Sequence, residues 1–182
     1  RLDDAFLLKT DANGNKLWEK NYGGDDIEDT RSAQQTFDGG YMIAGWTSSF
    51  NSTKPEDQNS YLVKTDANGN KLWERAIDAF DKQEQDATLS MQQTSDGGYI
   101  LAGSTQSVDA SRSTYAYLLK VDEDGNKMWE NYASDGLLRS VRQTSDGGYI
   151  AAGDKLRSVR QTSDGGCEEK INNNIPTGDC SF

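Results

Sequence analysis

The segment Lys-Thr-Asp-Ala-Asn-Gly-Asn-Lys-Leu-Trp-Glu occupies residues 9–19 and recurs letter for letter at residues 64–74. A looser copy, Lys-Val-Asp-Glu-Asp-Gly-Asn-Lys-Met-Trp-Glu, fills residues 120–130. Trp18, Trp73 and Trp129 therefore lie 55 and 56 residues apart. Self-similarity at such a period marks a repeat architecture in which one supersecondary unit stacks on the next. This restricts the fold tightly, because every copy has to form the same local structure and bury the same residues.

Each copy is preceded by a short apolar run: Ala5-Phe6-Leu7-Leu8, Tyr61-Leu62-Val63 and Tyr115-Ala116-Tyr117-Leu118-Leu119. Asn13-Gly14, Asn68-Gly69 and Asp124-Gly125 then interrupt it. Asn-Gly or Asp-Gly between two strand-like runs is the strongest short-range hairpin signal, and it predicts a type I′ turn with both central residues at positive φ. In the second strand side chains alternate, so Leu17 and Trp18 face opposite sides of the sheet. The tryptophans are read as structural. A buried indole removes about 150–250 Å² from water, an upper bound of about 4–6 kcal/mol at about 25 cal/mol per Å². A side chain of that size at a repeated position belongs where unit packs on unit.

A second repeated element is Gln-Gln-Thr-Phe-Asp-Gly-Gly-Tyr from Gln34, Gln-Gln-Thr-Ser-Asp-Gly-Gly-Tyr from Gln92, and Arg-Gln-Thr-Ser-Asp-Gly-Gly-Tyr from Arg142. It predicts another hairpin per repeat, turning at Asp38-Gly39, Asp96-Gly97 and Asp146-Gly147. The pairs Ala44-Gly45, Ala102-Gly103 and Ala152-Gly153 close its second strand and allow backbones to approach. Two hairpins in about 50–55 residues predict an all-β fold, a β-propeller of four-stranded antiparallel blades. About three repeats occupy residues 1–153, with blade hairpins at 1–22, 30–76, 88–132 and 137–153. Residues 154–182 form a partial repeat and an irregular tail, for residues 156–166 copy 138–148 without a change. Three blades are fewer than the usual four to eight. The ring is therefore completed by another chain, by a longer parent protein, or left as an open stack; a homo-oligomer completing the ring is one expected partner.

The run from Tyr61 to Trp73 resembles the blade signature of pyrroloquinoline-quinone-like propeller repeats. Together with the Asp-Gly-Gly-Tyr-Ile and Ala-Gly elements, it is similar to the repeats of secreted and cell-surface propeller proteins of bacteria and archaea. That resemblance implies an extracellular or cell-surface location. It implies a non-catalytic role as a binding module or scaffold, with a protein or glycan as partner. No stretch matches the cofactor or calcium ligands of the quinoprotein enzymes, so no quinone cofactor is implied.

Composition narrows the chemistry. The formal net charge is −11, which opposes nucleic acid and anionic membrane surfaces as partners. No apolar run approaches the length of a membrane-spanning helix. Histidine is absent, which removes Ser-His-Asp catalysis and His-ligated metals. Cys167 and Cys180 are candidates for a disulfide closing a small loop, and a disulfide would imply an oxidising compartment. Asn51-Ser52-Thr53 is a glycosylation acceptor pattern.

Three groups of candidate site residues remain. Asp25, Asp26, Glu28 and Asp29 are the weak calcium candidates, and as carboxylate pairs they could serve acid–base glycoside hydrolysis. Asp11-Asn13-Asn15 and its copies also offer alternating oxygens, yet a hairpin turn explains the same letters. Trp46 has no repeat counterpart and, with Phe50, could form an aromatic platform for a sugar or a partner. The readings are thus a binding scaffold, a lectin-like propeller assembled from short chains, or a hydrolase using loop carboxylates.

Overall fold

The computed structural model describes residues 4–50, 58–78, 84–107, 113–155, 159–161, 167–169 and 177–178. Among them there is strand, turn and bend but no helix. The strands are β1 (Ala5–Thr10), β2 (Lys16–Tyr22), β3 (Glu28–Gln35), β4 (Tyr41–Thr47), β5 (Asn59–Thr65), β6 (Lys71–Ile77) and β7 (Glu84–Gln93). They continue with β8 (Tyr99–Ser107), β9 (Thr114–Val121), β10 (Lys127–Gln143), β11 (Tyr149–Lys155), β12 (Val159–Gln161), β13 (Cys167–Glu169) and β14 (Thr177–Gly178). All ladders between these strands are antiparallel.

Sequence-adjacent strands pair. β1 and β2 form a two-stranded sheet, β3-β4-β5-β6 a four-stranded one, and β12-β13-β14 a small sheet in the tail. The remaining sheet runs β11-β10-β9-β8-β7 because β10 belongs to two hairpins at once. Residues 127–135 of β10 pair with β9 and residues 136–143 with β11. The link that separates consecutive hairpin pairs elsewhere has here become part of one seventeen-residue strand. The chain thus reads as a half unit (β1–β2), two complete four-stranded units, and a second half unit made of the end of β10 with β11.

These units stack face to face. Ala5, Leu7 and Tyr22 of the first half unit pack on Ile43, Tyr61 and Val63. The opposite face of that sheet, with Met42, Ala44 and Leu62, packs on Tyr99, Leu101, Tyr117 and Leu119. Ile100, Ala102 and Leu118 on the far face then meet Leu138, Val141, Tyr149 and Ala151. The inner strands therefore lie between two apolar layers, and β5 is buried along its whole length.

The tryptophans sit in these seams. The Trp18 ring lies edge-on to Tyr41 at 5.6 Å, and Trp129 is tilted against Tyr149 at 5.7 Å. Trp73 packs against the cluster that contains Tyr99. Two of the indoles also cover the turn glycine of the next unit: a Cβ at Gly69 would stand 2.9 Å from the Trp18 ring, and one at Gly125 2.8 Å from Trp73. Both glycines have positive φ, 76° and 80°, so conformation and space each exclude a side chain there.

The hairpin turns differ from the type I′ expectation. The Gly14 amide donates to the Asp11 carbonyl at 3.1 Å, and the Asp11 amide to the Asn15 carbonyl at 2.9 Å. The turn is thus centred on Ala12-Asn13, with Gly14 alone following at φ 84°, the three-residue loop with a bulge. The reason is Asp11. Its carboxylate accepts from the amides of Asn13 and Asn15 and from the Asn15 side chain, all within 2.9 Å. Those bonds hold the Asp11 carboxyl below the usual carboxylate range, the Asn15 side chain foremost, and they occupy the oxygens that a cation would need. The Asp-Gly-Gly turns follow the same plan, with Gly39 donating to Thr36 and Thr36 to Gly40.

Replacing Trp73 with alanine is expected to lower unfolding free energy by about 3 kcal/mol, the low end for a large aromatic because the ring is only partly buried. Urea unfolding followed by circular dichroism measures it, and a change below about 0.5 kcal/mol would remove the indole from the seam.

Candidate functional site

The repeated Asp and Lys of the two hairpins meet inside each complete sheet. The Lys64 ammonium donates to both Asp38 carboxylate oxygens at 2.8 and 3.0 Å, to Thr36 Oγ1 at 3.0 Å and to the Thr65 carbonyl at 3.1 Å. The Lys64 side chain is 7% exposed while Asp38 is 59% exposed. In the next sheet Lys120 reaches Asp96 at 3.1 Å and the Val121 carbonyl at 3.0 Å. A buried ammonium is tolerated only when its donors are satisfied, and this one is met by a carboxylate and a carbonyl in both sheets. The second glycine of each Asp-Gly-Gly gives it room. A Cβ at Gly40 would lie 2.8 Å from Lys64 Nζ, and one at Gly98 2.5 Å from Lys120 Nζ.

Glutamines tie these turns to the neighbouring unit. Gln34 Oε1 accepts from the Gln93 amide at 2.9 Å, and Gln93 Oε1 accepts from the Phe37 amide at 2.8 Å. The pattern repeats one unit on, where Gln92 accepts from the Gln143 amide at 2.6 Å and Gln143 from the Ser95 amide at 2.8 Å. Sequence reasoning missed both the lysine pair and this ladder. The recurrence of Gln-Gln-Thr beside Asp-Gly-Gly was the available signal.

A cleft of about 430 Å³ opens above the seam between the two complete sheets, lined by Phe37, Asp38, Leu72, Trp73, Glu123 and Asp124 among others. Phe37 is 70% exposed and Leu72 59%. Phe37 also went unnoticed in the sequence, although its counterparts are Ser95 and Ser145. Tyr99 lies at the base, 1% exposed. Burial, then the Asp38 and Glu123 carboxylates, push its phenol up to about 12, so it remains protonated. Aromatic walls with a few charged groups suit a polar organic ligand. A second cleft, about 420 Å³, lies between the first half unit and the next sheet, with Lys20, Tyr22, Gly69 and Asn70 in its lining. Its walls carry no exposed aromatic.

The residues singled out from the sequence are distributed as follows. Trp46 is half-buried in β4 on the face of Met42 and Ala44, opposite Ser60. Phe50 belongs to the other face, its ring stacked on Tyr61 at 5.7 Å. The two rings therefore do not share a platform. Glu28 is 2% exposed; it accepts from Thr47 Oγ1 at 2.6 Å and from the Gly24 amide at 3.1 Å, clamping the loop onto β4. Asp29 pairs with Arg31 at 2.6 Å, and the Asp26 amide donates to Ser49 at 2.8 Å. The structure places Asp25 in the same loop without bringing these four carboxylates into one cluster; among the described residues no three acidic or cysteine side chains gather where a metal ion could be held. Cys167 lies in β13, whereas Cys180 and Asn51 fall outside the described residues.

No family model matches the chain, and no curated protein matches it. Among solved structures it is similar to a protein of unknown function from Bacteroides caccae, with 12% sequence identity and a TM-score of 0.48, over 98% of this chain and 73% of that one.

The Lys64 ammonium first, then Thr36, hold the Asp38 carboxyl at about 2 against an ordinary 3.8. A depressed carboxylate adds stability that is present above its unfolded value and lost as pH falls through its folded one. The pair therefore stabilises above about pH 4 and fades towards pH 2. Asp38→Asn is expected to lower stability at pH 7 by about 1–3 kcal/mol, less than a fully buried pair because the carboxylate faces water. It should also flatten the loss between pH 4 and 2; urea unfolding across that range measures both, and an unchanged acid profile would contradict the assignment.

Proposed function

We propose that the chain is a β-propeller repeat protein, its stacked four-stranded units being blades, that acts without catalysis as a binding module at a prokaryotic cell surface. The observation that carries this reading is the cleft with Phe37 and Trp73 on its walls. It joins exposed aromatic surface to carboxylates on a scaffold whose remaining repeated polar groups are occupied in holding turns and seams. Its walls come from the turns of two neighbouring blades, so that rigid strands position it. The polypeptides that vary between repeats, including the Phe37 position, supply recognition, while the constant ones supply the frame.

The ligand class we assign is a neutral or cationic glycan or peptide. A flat apolar ring such as Phe37 stacks on a sugar face or packs against an aliphatic side chain, and Asp38, Glu123 and Asp124 accept its hydroxyl or ammonium donors. The resemblance of the repeats to secreted propeller proteins supports the compartment. Among the described residues no helix is long and apolar enough to cross a membrane.

A glycan array probed with the wild type, Phe37→Ala and Trp46→Ala distinguishes the alternatives. Binding weakened about tenfold or more by Phe37→Ala, and kept by Trp46→Ala, is expected when one stacking ring is removed from the cleft. Loss with Trp46→Ala alone would move the site to the β4 face and favour a lectin of different geometry. Turnover of a model glycoside abolished by Asp→Asn substitution would contradict a non-catalytic role.

A further inference from the structure

Tyr22, Tyr61, Tyr99 and Tyr117 are the buried tyrosines among the described residues. Three of them engage their hydroxyls inside the protein. Tyr22 donates to the Gly69 carbonyl at 2.8 Å, Tyr61 to Glu74 Oε2 at 2.7 Å, and Tyr117 shares bonds with Ser60 and Thr88 at 2.8 Å. Tyr99 differs. The residue is 1% exposed, yet no described residue hydrogen-bonds its hydroxyl. That oxygen is not sealed off, so it opens into the cleft above the seam between the two complete sheets, which Tyr99 lines. A hydroxyl enclosed without a partner costs free energy that a complementary ligand group restores.

Carboxylates surround that hydroxyl. After burial, Asp38 and then Glu123 push the Tyr99 phenol up, so both act on it at short range. Glu123 Oε2 lies 3.6 Å from where a Cβ on Gly97 would stand, and Asp124 lines the same cleft. The cation in the lining is Lys64, whose ammonium is already turned to Asp38, Thr36 and the Thr65 carbonyl. Three carboxylates against one engaged ammonium leave the cleft negative. Among the described residues no three of them gather closely enough to hold a metal ion. Acceptors spread in this way suit a cation with several N–H donors on an organic stem.

The groups that give the cleft this character break the repeat. Phe37 stands where Ser95 and Ser145 stand in the other copies, Glu123 where Ala12 and Ala67 do, and Asp124 where Asn13 and Asn68 do. The frame around them, an indole, a tyrosine, an Asp-Gly-Gly turn and a lysine, is common to the copies. The three departures therefore change the chemistry of one seam without changing its fold. Phe37 and Leu72, both largely exposed, add an apolar rim. The Trp73 ring already carries the Arg75 guanidinium at 5.5 Å, so Phe37 is the ring open to a ligand.

We propose that this cleft receives a lysine side chain of a partner peptide, its ammonium donating to Asp38, Glu123 and the Tyr99 hydroxyl and its methylene stem lying along Phe37 and Leu72. The inference rests on the binding-module reading above and narrows its ligand from a glycan or peptide to one side chain. An ammonium has three N–H donors and no acceptor, which matches three acceptors on three separate side chains. A guanidinium would need two oxygens of one group in its plane. Bonds from a charged donor to a carboxylate are about twice as strong as neutral ones. The aliphatic stem suits the rim, whereas a pyranose would turn hydroxyls onto Leu72. Asp124 adds to the field that draws the cation in.

Titration of the full chain with the blocked peptide acetyl-Gly-Gly-Lys-Gly-Gly-amide, followed by amide NMR shifts, tests it. Saturable binding with shifts centred on Phe37, Tyr99 and Glu123 is expected. Glu123→Ala and Phe37→Ser each install the residue that the other repeats carry at that position, so the fold is kept, and each should weaken binding at least about tenfold. Tyr99→Phe removes the hydroxyl alone and should weaken it about threefold or more. Acetylating the lysine side chain of the peptide should weaken it at least about tenfold. No saturable binding, equal affinity for the acetylated peptide, or an affinity unmoved by Glu123→Ala would each overturn the proposal. Glucosamine bound more tightly than the peptide would overturn the choice of a lysine. A neutral glycan that binds and is lost with Phe37→Ala, beside a lysine peptide that does not bind, would sink the ammonium assignment and leave the cleft a binding site. Failure of both ligands would take the cleft reading down as well.

Discussion

The structure depends on an indole from one sheet lying over the turn glycine and against the tyrosine of the next. Trp18 meets Gly69 and Tyr41, and Trp73 meets Gly125 and the cluster of Tyr99. This contact links sequence period to spatial period. A hairpin pair has one apolar face too many to stand alone, and stacking it on a copy of itself solves the problem only if the copies keep a constant offset. The indole sets that offset, because its edge fits where only a glycine turn leaves room.

Polar groups do the rest within and between units. The lysine of the fifth or ninth strand is drawn into its sheet by the Asp-Gly-Gly turn, and glutamine side chains accept from backbone amides of the neighbouring unit. At the edge of the second sheet the hydroxyls of Ser60, Thr88 and Tyr117 bond to one another within 3.1 Å, fully enclosed. Burial foremost pushes the Tyr117 phenol up, which keeps it a neutral donor. Fully satisfied networks of this kind specify one arrangement of an apolar interface. The Phe37 side chain takes no part in them, for that position enters the ladder only through its backbone amide.

Much of this was legible in the sequence because the decisive interactions are local. A strand, an Asp-Gly or Asn-Gly turn and a second strand are encoded within about fifteen residues, and repetition confirmed each assignment three times over. What the letters did not carry came from longer range. The turn type was missed because Asp11 closes the loop with its own side chain. Lys64 was not singled out, since its partner lies 26 residues away. Trp46 and Phe50 looked adjacent, but β4 ends at Thr47 and the bend that follows carries Phe50 over to Tyr61 on the other face. The fusion of two strands into β10 was hinted at only by a shortened link at Ala133–Gly136.

The central claim is that indole and turn glycine are coupled across each seam, and a double-mutant cycle on Trp73 and Gly125 tests it most directly. With the ring present, Gly125→Ala adds a clash to the strain of a positive φ; with Trp73→Ala in place only the strain remains. The account predicts that Gly125→Ala destabilises by at least about 1 kcal/mol less in the Trp73→Ala background than in the wild type. Additivity of the two changes within about 0.5 kcal/mol would contradict it.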